Sequence, residues 1–146
     1  MELTGYVRAD GAVGFRNHTL IVPLTGCLQR MAWRIADAVP GASALIHPHG
    51  CDFHGPDAAL LATLMRHLCT HPNVGAVLFL SMGCAALNGA HLAKAVGDSG
   101  RLVEEINLHK CGGTSQTITE GIRRAQPMAQ ALAVQRREPV PLSTLV

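Results

Sequence analysis

The sequence predicts an α/β fold in three layers, a mostly parallel sheet of about four strands with helices on both faces. Three observations carry this. Short continuous apolar runs recur at Thr19–Val22, Ser43–Ile46 and Gly75–Leu80, and Arg101–Leu108 reads as a fourth strand. Runs of that kind read as strands buried on both faces, as in parallel sheets. Between them lie stretches with apolar residues at helical spacing, such as Leu28, Met31, Ala32, Ile35, Ala36 and Val39. Breakers punctuate the alternation: Pro40-Gly41, His71-Pro72-Asn73 and Gly97-Asp98-Ser99-Gly100. Handedness rules leave few ways to wind such a chain, and a Rossmann/flavodoxin-like strand order is favoured.

Taken in order, residues 1–17 are rich in glycine and charge and read as an irregular or hairpin-like lead-in. A second helix is expected from about Asp57 to Cys69, with Leu60, Leu61, Leu64, Met65 and Leu68 on one face. A short helix is expected over 88–96 and a long one over 115–134, kinked or split at Pro127. Residues 1–136 are read as one α/β domain and 137–146 as an extended, linker-like tail.

Composition narrows the function classes. Of the 146 residues, 48% are hydrophobic and only 15% charged, so part of the surface is expected to be covered by a partner or by self-association. A net charge of +2 gives no support to nucleic acid binding, and no apolar run approaches membrane-spanning length. Met1-Glu2-Leu3-Thr4-Gly5 is no signal peptide, and five cysteines are an odd count. Reduced thiols in the cytoplasm are therefore expected. Neither a Cys-x-x-Cys pair, a Gly-x-Gly-x-x-Gly nor a Walker A motif occurs.

The chemistry concentrates in the segments that follow the strands. His47, His49, Cys51 and His54 fall in one short loop. Each of the four predicted strand-to-helix loops carries one cysteine: Cys27, Cys51, Cys84 and Cys111. In a parallel sheet these loops share the carboxyl edge, where open α/β sheets bind ligands. Thiolates with His47, His49 or His54 suit iron, zinc or another soft cation. A thiol near a helix start is expected to have a lowered pKa. Gly112-Gly113-Thr114 opens a helix and suits an anion such as a carboxylate. His18 and His109, near strand ends, are candidate general bases. Lys110 could neutralise a carboxylate; Cys69 reads as core filler, and His67, His71 and His91 as solvated.

Several of these stretches together resemble one family. They are Asp10-Gly11-x-x-Gly14-Phe15-Arg16-Asn17-His18, Gly26-Cys27, His47-Pro48-His49-Gly50-Cys51, His71-Pro72-Asn73-Val74-Gly75, Gly83-Cys84 and Gly112-Gly113-Thr114. In this order and spacing they are similar to the second domain of the altronate/galactarate dehydratases. The resemblance implies a hydro-lyase that removes water from a sugar acid to give a 2-keto-3-deoxy acid, with a divalent metal, typically iron. It implies metal or substrate ligands at Cys27, Cys51, Cys84 and His47, acid/base roles for His49, His18 and His109, and substrate or anion contacts from Arg16, Asn17, Gly112, Gly113 and Thr114. It also implies a small β-rich N-terminal unit and a large C-terminal catalytic domain or subunit as partners. Two positions depart from the family pattern: Ala85 stands where a glutamate usually follows Gly-Cys, and His109-Lys110-Cys111 stands where Gln-Glu and a hydrophobic residue are usual. Two alternatives stay open, a non-catalytic metal- or anion-binding module and part of a sulfolactate sulfo-lyase-like enzyme.

Overall fold

A computed structural model describes residues 3–144. Four parallel strands form the central sheet: β3 (His18–Pro23), β4 (Ala42–Ala44), β5 (Val74–Ser81) and β6 (Leu102–Asn107). Their spatial order is β4-β3-β5-β6. The chain steps from β3 outward to β4, then crosses back to β5 on the other side of β3. That is the flavodoxin-like arrangement, and its switch point lies between β3 and β5. Every residue of β5 is buried, which explains its uninterrupted apolar run.

Helices cover both faces. α1 (Gln29–Ala38) and α5 (Thr114–Ala133) pack Met31, Ala32, Ile35 and Ala125 onto Ile21, Leu78 and Leu80. α2 (Pro56–Cys69) and α3 (Gly89–Asp98) pack Leu61, Met65, Leu92 and Val96 onto Val22, Val77 and Phe79 on the opposite face. Opposite faces are natural here, since alternate residues of β5 point to opposite sides.

Four features differ from the sequence reading. β4 stops at Ala44; Leu45 still donates to the Ile21 carbonyl, and the chain then leaves the sheet for the histidine loop. Helix α5 runs unbroken through Pro127, which sits on its exposed side. Leu108, read as the end of the fourth strand, and His109–Cys111, read as loop, form a one-turn helix, α4 (Leu108–Cys111). The Asn107 side chain caps it, accepting from the His109 and Lys110 amides. The lead-in and the tail meet in a second sheet. β1 (Leu3–Val7) pairs antiparallel with β2 (Val13–Gly14) on one side and with β7 (Glu138–Val140) on the other. The tail is therefore extended, as its prolines require, and docked as an edge strand over Glu138–Val140. Residues 1, 2, 145 and 146 lie outside the described residues.

Candidate functional site

The segments after β3, β4, β5 and β6 all emerge at the carboxyl edge, because the strands are parallel. The first two are locked together. After β3 the chain makes a 3-10 turn over Gly26–Leu28, and the Gly26 amide donates to the His49 carbonyl at 2.7 Å. A Cβ on Gly26 would stand 2.7 Å from the Pro48 carbonyl oxygen, so only glycine permits this approach.

His47 is the buried member of the loop. Its Nε2 lies 3.1 Å from the Pro23 carbonyl oxygen. A carbonyl only accepts, so Nε2 carries the proton and Nδ1 presents a lone pair. Nδ1 is itself buried and has no protein partner. Burial pushes the imidazole pKa down; the Pro23 bond opposes that and the nearby His49 adds to it. The ring is thus held neutral. His49 stacks on Phe53 at 3.9 Å and stands 5.9 Å from His47. His54 is exposed.

Cys27, Cys51 and Cys84 are exposed on three successive loops around the switch point. Cys84 lies within electrostatic reach of Cys51 and Cys27. Partial desolvation, then the two thiols, push the Cys84 pKa above its ordinary value. This reverses the expected lowering, and the reason is local: α3 begins only at Gly89, too far to stabilise a thiolate at Cys84. Among the described residues, no group of three or more His, Cys, Asp or Glu side chains already converges closely enough to enclose a metal ion. Buried Cys69 packs in the core, which pushes its thiol up to about 12.

Beyond β6, half-buried Cys111 closes α4 and lines a cleft of about 660 Å³ with Asn107, Lys110, Ser115, Gln116 and Thr119. Its size suits a small polar ligand. Gly112 takes the left-handed conformation (φ 87°) and Gly113 follows with φ 112°, which turns the chain into α5 at Thr114. His109 is exposed on α4. Ala85 packs against the α2–α3 face of the core.

Arg16, Asn17 and His18 are not brought to this edge. They precede or open β3, and its five residue steps put them roughly 17 Å from the thiol loops. Their contacts are structural. Asn17 donates to the Leu132 carbonyl and to Gln135 and accepts from Arg8. The Arg16 amide donates to the Asn73 side chain, and the His18 amide to the Asn73 carbonyl. Sequence reading missed Arg8, Asn73 and Arg101, which organise that opposite edge. The available signal was placement: Arg101 directly precedes a strand, and a charged side chain buried at such a position must be bonded.

An open parallel sheet with thiol and imidazole loops at its switch point defines a doubly wound α/β domain, the fold class in which ligands bind at the carboxyl edge. Residues 5–133 match the family described as D-galactarate dehydratase/altronate hydrolase, second domain, and the chain belongs to that family. It is 30% identical to altronate dehydratase of Escherichia coli (strain K12), over 99% of this chain and 31% of that protein. Identity is likewise 30% to altronate dehydratase of Bacillus subtilis (strain 168), over 97% of this chain and 30% of that one. The (2R)-sulfolactate sulfo-lyase subunit beta of Chromohalobacter salexigens is 31% identical, over 97% of this chain and 36% of the relative. The chain thus spans about a third of the length of the curated relatives it matches. Among the described residues, no helix is long and apolar enough to cross a membrane.

Proposed function

We propose that this domain forms the thiol- and imidazole-bearing wall of a hydro-lyase centre that removes water from an altronate- or galactarate-type sugar acid. A divalent metal, iron in the first instance, would be held by Cys27, Cys51, Cys84 and His47. The observation that carries this reading is the fixed tautomer of His47. Metal-binding histidines almost always donate their second ring N–H to a carbonyl or carboxylate, and Nε2 does so to Pro23. The other nitrogen, Nδ1, is left as a neutral, unpartnered lone pair. Thiols suit a soft cation, and a cation would relieve the mutual disfavour that raises Cys84. Small movements of the exposed loops would be needed to close the donors around it.

When bound, the metal supplies Lewis acidity for the enediolate and the departing hydroxide. The side chains of this chain do the rest. His49 takes the proton from the carbon next to the carboxylate, Lys110 meets the carboxylate, and Asn107, Ser115 and Thr119 bind hydroxyl groups. The enol left after hydroxide departs becomes the 2-keto-3-deoxy acid. His109 is a second base candidate on the same edge. The open cleft would be completed by a further domain or subunit, since the relatives are about three times longer. A beta subunit among the relatives favours assembly from separate chains as one form of this. Leu60 and Leu64, 69% and 50% exposed on α2, are proposed as part of a self-associating or partner-covered face.

The test is metal analysis of protein purified without oxygen, followed by an assay for the 2-keto-3-deoxy product with ferrous iron. One arm uses the chain alone, the other adds the separately expressed C-terminal domain of a relative. Iron bound by wild type and lost in Cys51→Ser, with turnover only in the second arm, is expected. Absence of metal and of turnover in both arms would leave the binding-module alternative.

A further inference from the structure

At the amino edge of the parallel sheet, some 17 Å from the thiols by strand length, lies a separate polar cleft of about 330 Å³. Tyr6, Arg8, Arg101, Gln135, Arg136 and Glu138 line it. Arg101 is the unusual member. Its side chain is 1% exposed, so its charge is taken almost wholly out of water. Nε donates to the Val74 carbonyl, and Nη1 to Asp10 and to the Ser99 carbonyl. Nη2 is buried and donates to nothing. An unpaired buried donor on a charged group is costly, and it leaves the Arg101 charge incompletely compensated.

The neighbouring charges deepen the imbalance. Arg8 donates only to neutral acceptors: the carbonyls of Pro72 and Arg16 and the amide oxygen of Asn17. Burial, and then the like charge of Arg101, lower its pKa, with Asp10 and Tyr6 opposing. Arg8 and Arg137 both lie over the Tyr6 ring, at 5.6 and 5.5 Å. Asp10 is already engaged by Arg101, and Glu138 is the one carboxylate among the cleft-lining residues.

We propose that this cleft binds a small oxyanion, a carboxylate or phosphate group, which the Arg8 and Arg136 guanidiniums would hold and Arg101 Nη2 would join after a small shift that uncovers it. Guanidinium forks match the paired oxygens of either group. The site is distinct from the carboxyl-edge centre, so it stands or falls independently of the dehydratase reading.

The experiment is calorimetric titration of the intact chain with inorganic phosphate and, separately, with succinate, at low and moderate salt. Phosphate binding alone would assign a phosphate source and succinate binding alone a carboxylate source; either supports the site. Saturable 1:1 binding is expected, weakened about tenfold by Arg136→Gln, the loss of one charged hydrogen bond. Arg136 is exposed, so this variant should fold. Arg30→Gln removes an exposed arginine from α1 and should leave binding unchanged. Arg101→Lys, if it folds, should abolish binding; if it does not, Arg136→Gln still decides. No saturable binding of either probe, or equal losses in Arg136→Gln and Arg30→Gln, would overturn the proposal.

Discussion

The two ends of the parallel sheet are built on different principles. At the amino edge, side chains are tied to backbone. Asn73 accepts from the Phe15 and Arg16 amides, Arg8 donates to the Pro72 carbonyl, and Arg101 reaches Val74, Ser99 and Asp10. At the carboxyl edge the thiols are exposed and interact with one another, and His47 makes a single bond to Pro23. One end spends its polar groups on holding the fold and the other leaves them free. The difference separates side chains committed to holding the fold from side chains left exposed, although both kinds form compact motifs in the sequence.

The largest effect should come from the amino edge. A Cβ on Gly14 would stand 2.0 Å from the Pro72 carbonyl oxygen, in a buried position where two backbones meet. Gly14→Val should cost about 3 kcal/mol or more and lower the urea midpoint steeply. A variant of wild-type stability would show that the hairpin is not clamped to the 71–73 turn. Asn73→Ala comes next. It leaves the Phe15 and Arg16 amides without their acceptor, 2.7 and 3.1 Å away, and should cost about 2 kcal/mol in the same measurement.

These clamps mark how far the sequence could be read. Alternation of apolar runs and helical spacing was enough for the layers, because a central strand of a parallel sheet, such as β5, is buried on both faces. The common edge of the four cysteines followed from parallelism alone. The division between edges followed from the same rule but went unread: Arg16, Asn17 and His18 precede or open β3 and therefore lie at its amino end, opposite the thiol loops. The docked tail was hidden for another reason. Pro139 and Pro141 read as linker, and an edge strand pairing through Glu138–Val140 leaves no periodic signal in three residues. The α4 turn was masked by its histidine, lysine and glycines, while its determinant is the Asn107 cap just before them.

A smaller effect should appear in acid. Burial pushes the Asp10 carboxyl up, but the Arg101 hydrogen bond, the Ala12 amide bond and the Arg101 charge outweigh it and hold the carboxyl below its ordinary 3.8. A carboxyl depressed in the folded state contributes stability that is present above pH 3.8 and lost as pH falls through the lower, folded value. Asp10→Asn should therefore remove part of the acid-range slope of unfolding free energy. Because the Asp10 side chain is 38% exposed, its own titration should account for less than about 1 kcal/mol at neutral pH, with the cost of giving buried Arg101 a neutral partner added to it. An unchanged slope would mean the pair is not formed in solution.

The smallest effect on stability, and the sharpest test of the contrast, belongs to the thiol edge. Cys51 is exposed and packs into neither core face, so Cys51→Ala should change the unfolding free energy by no more than about 0.5 kcal/mol. Its consequence should instead be read at Cys84. Desolvation, then the charges of Cys51 and Cys27, raise that thiol above its ordinary 9.0. Removing Cys51 takes away its contribution and leaves desolvation and the Cys27 charge, so the Cys84 pKa should fall toward 9.0. At a fixed pH slightly below that value more Cys84 would be thiolate, and alkylation, which requires the thiolate, would be faster. The measurement is the pH dependence of Cys84 alkylation, followed site by site by mass spectrometry in metal-free protein. A midpoint shifted to lower pH at unchanged stability is the expected result. If the midpoint stays fixed, Cys51 and Cys84 do not meet, and the thiols on neighbouring loops cannot act as one donor set.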